Sequence, residues 1–116
     1  MASARLRLER VEAALDASRA LFAALGDPTR LRLLSVLQAG PLCTCDLAAV
    51  LGVTESAVSL QVRGLRALRL LASDRDGRVV YHRLDDDHVA ALLSVAAEHV
   101  AEAAGPEQSE TQGPPA

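Results

Sequence analysis

Two histidines and two carboxylates set the chemistry open to this chain. Asp86, His88, His99 and Glu102 fall in one run free of proline and glycine, DDHVAALLSVAAEHVAE, residues 86–102. Read as a helix at about 100° per residue, His88, Leu92, Val95, His99 and Glu102 lie within roughly 40° of one direction. One face therefore carries metal-ligand types at each end and aliphatic residues between them. The histidines stand ~16 Å apart along the axis at ~1.5 Å per residue, whereas zinc–nitrogen bonds are only ~2.0–2.1 Å long. One straight helix cannot bring both to one ion, but two copies packed antiparallel across a twofold axis can. Asp86 and His88 of one chain then meet His99 and Glu102 of the other, with Leu92 and Val95 as the seam, and symmetry makes two such sites. Two imidazoles and two carboxylates suit tetrahedral Zn2+, with Co2+ or Cd2+ as alternatives. Acids and histidines on an exposed helix are commonly only solvated; the apolar seam between the two ligand pairs sets this helix apart.

A second candidate set is the Cys-Thr-Cys run, Cys43 and Cys45. Two cysteines in this pattern do not make a disulfide scaffold and read as reduced thiols available for metal or redox chemistry. They could hold a soft linear ion, with Asp46 as a third donor, or be small structural residues. His82 reads as a solvated strand residue rather than a ligand.

The elements that must position these groups follow from the chain's punctuation. At 116 residues the chain reads as one domain over 1–104 with a disordered tail over 105–116, GPEQSETQGPPA. Its apolar residues are nearly all Ala, Leu and Val, which favours helices. Residues 3–25 form an amphipathic helix with Leu8, Val11, Leu15 and Phe22 at helical spacing, read as a packing or dimerisation helix. Asp27-Pro28 starts a second helix as N-cap and first turn, and Gly40-Pro41 ends it. A short helix from Asp46 to Leu51, a turn at Gly52-Val53 and a helix capped by Thr54 and running to about Arg69 spell helix-turn-helix. In that last helix Ala57, Val58, Val62, Leu65 and Leu68 suit a core, leaving Ser56, Ser59, Gln61, Arg63 and Arg66 to point outward. The β-rich segments Leu70–Ser73 and Arg78–Leu84 flank Asp76-Gly77, a hairpin signal. Arg75 and Arg78 beside the tip are placed to reach phosphate. The expected fold is mainly α with a β-hairpin wing, a winged helix-turn-helix in the order ααααββα, assembled as a homodimer.

Net charge is −3, unpromising for a nucleic-acid partner until it is divided. All 12 arginines lie in residues 1–83 with 8 acids, a net +4, while residues 84–116 carry 7 acids and no base. A basic body with an acidic end is compatible with binding double-stranded DNA. No signal peptide or membrane-length apolar run is evident, so the expectation is a cytoplasmic protein with no membrane partner. A zinc enzyme is disfavoured: there is no HExxH, four protein ligands leave no open position for water, and no nucleophile–base pair accompanies them.

With these elements in place, the chain resembles the ArsR–SmtB family of metal-sensing repressors over about residues 20–103. ALGDPTRLRLL (24–34), LCTCDLA (42–48), TESAVSLQVRGLRALRLL (54–71), GRVVYHRL (77–84) and the DDH…HVAE helix carry the resemblance. It implies a winged-helix homodimer that represses an operator in the apo form and releases it on binding metal. The zinc-responsive branch places its regulatory site in the pattern Asp-x-His, ten intervening residues, His-x-x-Glu, which lands on Asp86, His88, His99 and Glu102. The resemblance also implies a hydrogen bond from His99 towards the backbone near Arg69, at the end of the recognition helix. Cys43 and Cys45 match the cysteine pair of relatives that sense soft metals, whose remaining ligands come from the N-terminal arm. Residues 1–42 here contain neither Cys nor His. Relatives commonly carry His after the second Ser of the recognition helix, where this chain has Leu60. Ser56, Ser59 and Gln61 are then the expected base readers, and the arginines phosphate clamps.

Overall fold

The computed structural model describes the backbone of residues 2–112 and side chains over residues 2–104; residue 1 and residues 113–116 of the expected tail lie outside the described residues. Two units are distinguished, residues 1–85 and residues 86–116.

The first unit begins with α1, Ala2–Leu25. Ala, Leu, Arg and Glu dominate it, and no glycine or proline interrupts it before Gly26, so intrinsic propensity favours one long helix. Only Ala24 is buried, and Leu8, Val11, Leu15 and Phe22 are 46–62 % exposed. Asp27 caps α2, Pro28–Val36, its carboxylate accepting from Arg30 N at 3.0 Å, with Pro28 supplying a first turn that needs no N–H. A 3-10 turn, Leu37–Ala39, closes the helix, and Leu33, Leu34 and Leu37 are buried while Leu31 is exposed.

Next comes a strand that the sequence did not announce. β1, Leu42–Cys43, pairs antiparallel with the wing. It leads directly into α3, Thr44–Leu51, two residues earlier than the sequence suggests, with Cys43 as N-cap. Gly52 ends α3 in the left-handed region at φ 70°, and Val53 N reaches back to Ala48 O at 3.1 Å. This wraps the chain tightly into the next helix, a turn that favours glycine. α4, Glu55–Ala67, is capped by Thr54, whose hydroxyl accepts from Ala57 N at 3.1 Å. Val58, Val62 and Leu65 bury its inner face, whereas Ala57 is exposed and Leu68 half-buried. Arg69 takes a left-handed conformation, φ 60°, and Leu70 N bonds Leu65 O at 3.0 Å. A position that usually falls to glycine is thus filled by an arginine.

β2, Leu71–Asp76, and β3, Val79–Leu84, form the wing, giving a three-stranded antiparallel sheet in the order β1-β3-β2. Asp76 pairs with Val79, so the two-residue loop is Gly77-Arg78, one residue later than the Asp76-Gly77 turn expected. Gly77 at φ 65° fits a loop whose first central residue needs positive φ.

The second unit is α5, Asp87–Gln112. Asp86 caps it: Oδ1 accepts from His88 N at 2.9 Å and Val89 N at 3.2 Å. Val89 and Leu93 are buried, while Leu92, Val95 and Val100 are exposed. The helix continues beyond Glu102, the last residue of the run carrying the four candidate ligands. Residues 105–112, assigned to the tail from sequence, are described as helical backbone only. No single described helix is long and apolar enough to cross a membrane.

Candidate nucleic-acid interface and metal ligands

The outer face of α4 and the wing converge within the first unit. Ser56, Ser59, Leu60, Arg63 and Arg66 are all exposed on α4, as their spacing from Val58, Val62 and Leu65 requires. Ser59 and Arg78 border one open cleft of ≈430 Å³, between the start of α4 and the wing tip. Ser59, Arg63 and Arg66 border another of ≈260 Å³, floored by Val80 and His82. The wing residue Arg75 is exposed, opposite Val80 in the ladder. Serine hydroxyls and guanidinium groups, exposed together on one helix and one hairpin, are donors suited to base edges and phosphate oxygens.

Gln61 is held more closely than its spacing suggests. It is half-buried, and its Oε1 accepts from Arg30 Nε at 2.9 Å. Because guanidinium only donates, the amide must turn its oxygen to Arg30, which occupies one of that oxygen's two lone pairs. A bidentate adenine contact, which needs both ends, would have to share that oxygen with Arg30. Gly64, one turn further along α4, leaves the space beside Arg30 Nη2 open: a Cβ there would lie 3.5 Å from it.

His82 is not a solvated strand residue. It is 5 % exposed, and its Nε2 lies 2.7 Å from Thr44 Oγ1 and its Nδ1 2.8 Å from Ser73 Oγ. Burial, and secondarily the charge of Arg66, holds its pKa below 6.5. A neutral imidazole here ties the start of α3 to both wing strands. The signal missed was β1, which places Leu42 opposite His82. On the other wing face Arg83 Nε donates to Asp74 at 2.7 Å, the hydrogen bond that raises the Arg83 pKa.

The two cysteines are free thiols, Cys43 half-buried opposite Tyr81 and Cys45 exposed, and both border the ≈430 Å³ cleft. Asp46 is exposed in the first turn of α3.

On α5, Asp86 and His88 are neighbours, with Oδ2 3.4 Å from His88 Nδ1. The side chain of His88 is 94 % exposed. Desolvation raises the Asp86 carboxyl, but the N–H of Val89, the imidazole of His88 and the N–H of His88 outweigh it, so the carboxyl titrates below its usual range. His99 and Glu102 are exposed further along the helix. Among the described residues of one chain, no three His, Cys, Asp or Glu side chains gather as a metal site.

A helix-turn-helix followed by a two-stranded wing that β1 extends into a three-stranded sheet, with a donor-bearing face on the second helix, defines a winged helix-turn-helix protein of the DNA-binding class. Residues 27–73 match the model of the arsR family of bacterial regulatory proteins. A transcriptional repressor SmtB homolog from Synechocystis sp. is 53 % identical over 81 residues, 70 % of this chain and 61 % of that protein. A cadmium resistance transcriptional regulatory protein CadC homolog from Staphylococcus aureus is 36 % identical over 85 residues, 72 % of this chain and 70 % of that one. The solved homodimeric winged helix-turn-helix DNA-binding domain of Mb0332 from Mycobacterium bovis superposes with a TM-score of 0.71 at 28 % identity, covering 78 % of this chain and 88 % of that one. The chain belongs to the ArsR/SmtB family of metal-sensing transcriptional repressors. It spans 61 % of the length of the SmtB homolog. The matching family and the SmtB homolog are transcriptional regulators.

Proposed function

We propose that this chain acts in the cytoplasm as a homodimeric repressor that holds double-stranded operator DNA in its apo form and releases it on binding Zn2+, with Co2+ or Cd2+ as substitutes. Asp86, His88, His99 and Glu102 would be the ligands, shared between two chains. The observation that carries this reading is the division of labour at Asp86. Oδ1 fixes the start of α5, while Oδ2 faces the adjacent, exposed His88, so that this pair could turn to an ion without disturbing the cap. The donor set of imidazole nitrogen and carboxylate oxygen fits zinc, and in a closed four-ligand site the ion would fix the relation of two helices rather than activate water. The seam residues Leu92 and Val95, together with the apolar face of α1, are exposed in one chain and would be covered in a dimer.

The deciding experiment is operator binding with and without zinc, using the DNA upstream of the protein's own coding region. Zinc should lower affinity by ~1–3 kcal/mol or more of coupling, and DNA should weaken zinc binding by the same factor. His99→Ala should keep apo binding and lose the response. A second reading makes Cys43 and Cys45 the sensor, for a soft metal or an oxidant. The cleft they share with Ser59 and Arg78, beside the reading helix, favours it. Cys43→Ser with Cys45→Ser should keep zinc-driven release under the first reading and abolish it under the second.

A further inference from the structure

Leu60 is 65 % exposed in the middle of α4, whose other large apolar residues, Val58, Val62 and Leu65, are all buried. Two residues from both Val58 and Val62, it projects about 160° away from each at ~100° per residue, so it points straight outward. Its neighbours one turn away are Ser56, Ala57, Arg63 and Gly64, three of them small. Along α4 it is thus a single exposed apolar knob among small and polar side chains. Folding gains little from it there, since most of its surface stays in water.

We propose that Leu60 is a specificity-determining residue that seats against the C5-methyl group of a thymine in each operator half-site. This rests on the DNA-binding reading above. In the major groove the base edges present donors, acceptors and one apolar group, the thymine methyl. Ser56, Ser59 and Arg63 around Leu60 can serve the polar edges, but leucine can neither donate nor accept. Set over an amide, carbonyl or ring nitrogen, it would strip that group of water and return no hydrogen bond. Set over a thymine methyl, it buries apolar surface on both partners. The small residues on either side let the helix come close enough for that contact. Leu60 therefore selects in both senses, favouring T·A and penalising the other pairs at one position.

The test begins with duplexes selected from a random pool by the wild-type dimer. Each thymine of the recovered duplex is then replaced singly by deoxyuridine, which removes only the methyl, and affinity is read by fluorescence anisotropy. One thymine per half-site should show binding about fourfold weaker as uracil, the equivalent of ~0.8 kcal/mol for one buried methyl. Leu60→Ala should bind the thymine and uracil duplexes equally at that position. Alanine is the best helix former, and an unchanged melting temperature would show that the fold is intact. At the same position 5-methylcytosine should bind the wild type more tightly than cytosine, and Leu60→Ala should not distinguish them. A uracil penalty that persists in Leu60→Ala, or no sensitive thymine in a duplex that is clearly preferred, overturns the proposal. A selection that yields no preferred duplex would instead remove the DNA-binding reading, and the proposal with it.

Discussion

His82→Ala should destabilise the protein in a way that depends on pH. The imidazole lies 2.7 Å from Thr44 Oγ1 and 2.8 Å from Ser73 Oγ, at 5 % exposure. Removing it forfeits two hydrogen bonds worth ~1 kcal/mol each, and the space left adds a packing loss of ~1–2 kcal/mol. A total near 3 kcal/mol corresponds to a drop in melting temperature on the order of 10–20 °C for a domain of this size. The pH dependence has a definite sign. Unfolded His82 titrates near 6.5, and burial together with Arg66 sets the folded value lower. Between the two values the unfolded chain binds a proton that the folded chain refuses. Stability due to the neutral imidazole is therefore complete above pH 6.5. It falls as pH drops towards the folded value, by at most ~1.4 kcal/mol per pH unit. Urea denaturation at fixed protein concentration, with chelator present, would measure wild type and variant from pH 5 to 8. The difference between them cancels His88 and His99, which both proteins keep. It should be largest above pH 6.5 and shrink below it. A difference constant from pH 5 to 7 would refute the claim that His82 is folded in its neutral form.

Three other perturbations separate the roles assigned above. Asp86→Asn should preserve the α5 cap, because asparagine caps as well as aspartate, yet weaken zinc binding; Asp86→Ala should in addition lose ~0.5–2 kcal/mol of stability. Calorimetry and thermal melts on both variants would show whether cap and ligand are separable. Replacing Arg78 or Arg63 by Ala should weaken binding to all duplexes alike and reduce the slope of log K against log salt by about one; a change in base ranking would assign that arginine to base reading instead. Leu92→Arg should shift the sedimentation of the apo protein towards monomer at micromolar concentration and weaken operator binding with it, while an unchanged dimer would place the interface elsewhere.

What the sequence discloses about this protein depends on how local each cause is. The Thr54 cap, the Asp27-Pro28 start and the Gly52 turn act over four or five residues, and each stands where its residue type indicates. The wing is legible from Gly77, but its register moved by one residue, because the pairing of Asp76 with Val79 is decided by the ladder and not by the dipeptide. β1 is two residues long, too short for any alternation to register. Yet that strand puts Leu42 opposite His82, and Thr44 just after it contacts the imidazole. The burial of His82 was thus invisible for the same reason that β1 was. Gln61 follows this logic across a longer distance: its partner Arg30 lies 31 residues earlier, on another helix. Periodicity correctly placed Ser56, Ser59, Arg63 and Arg66 outside, since it needs only Val58, Val62 and Leu65 as the inner face. It could not see that Gln61, on the flank between those faces, is claimed by α2. The outermost position falls to Leu60, which polarity rules would place inside. An apolar side chain held in water on the outer face of α4 is a departure from local preference, and such departures collect where function outweighs folding.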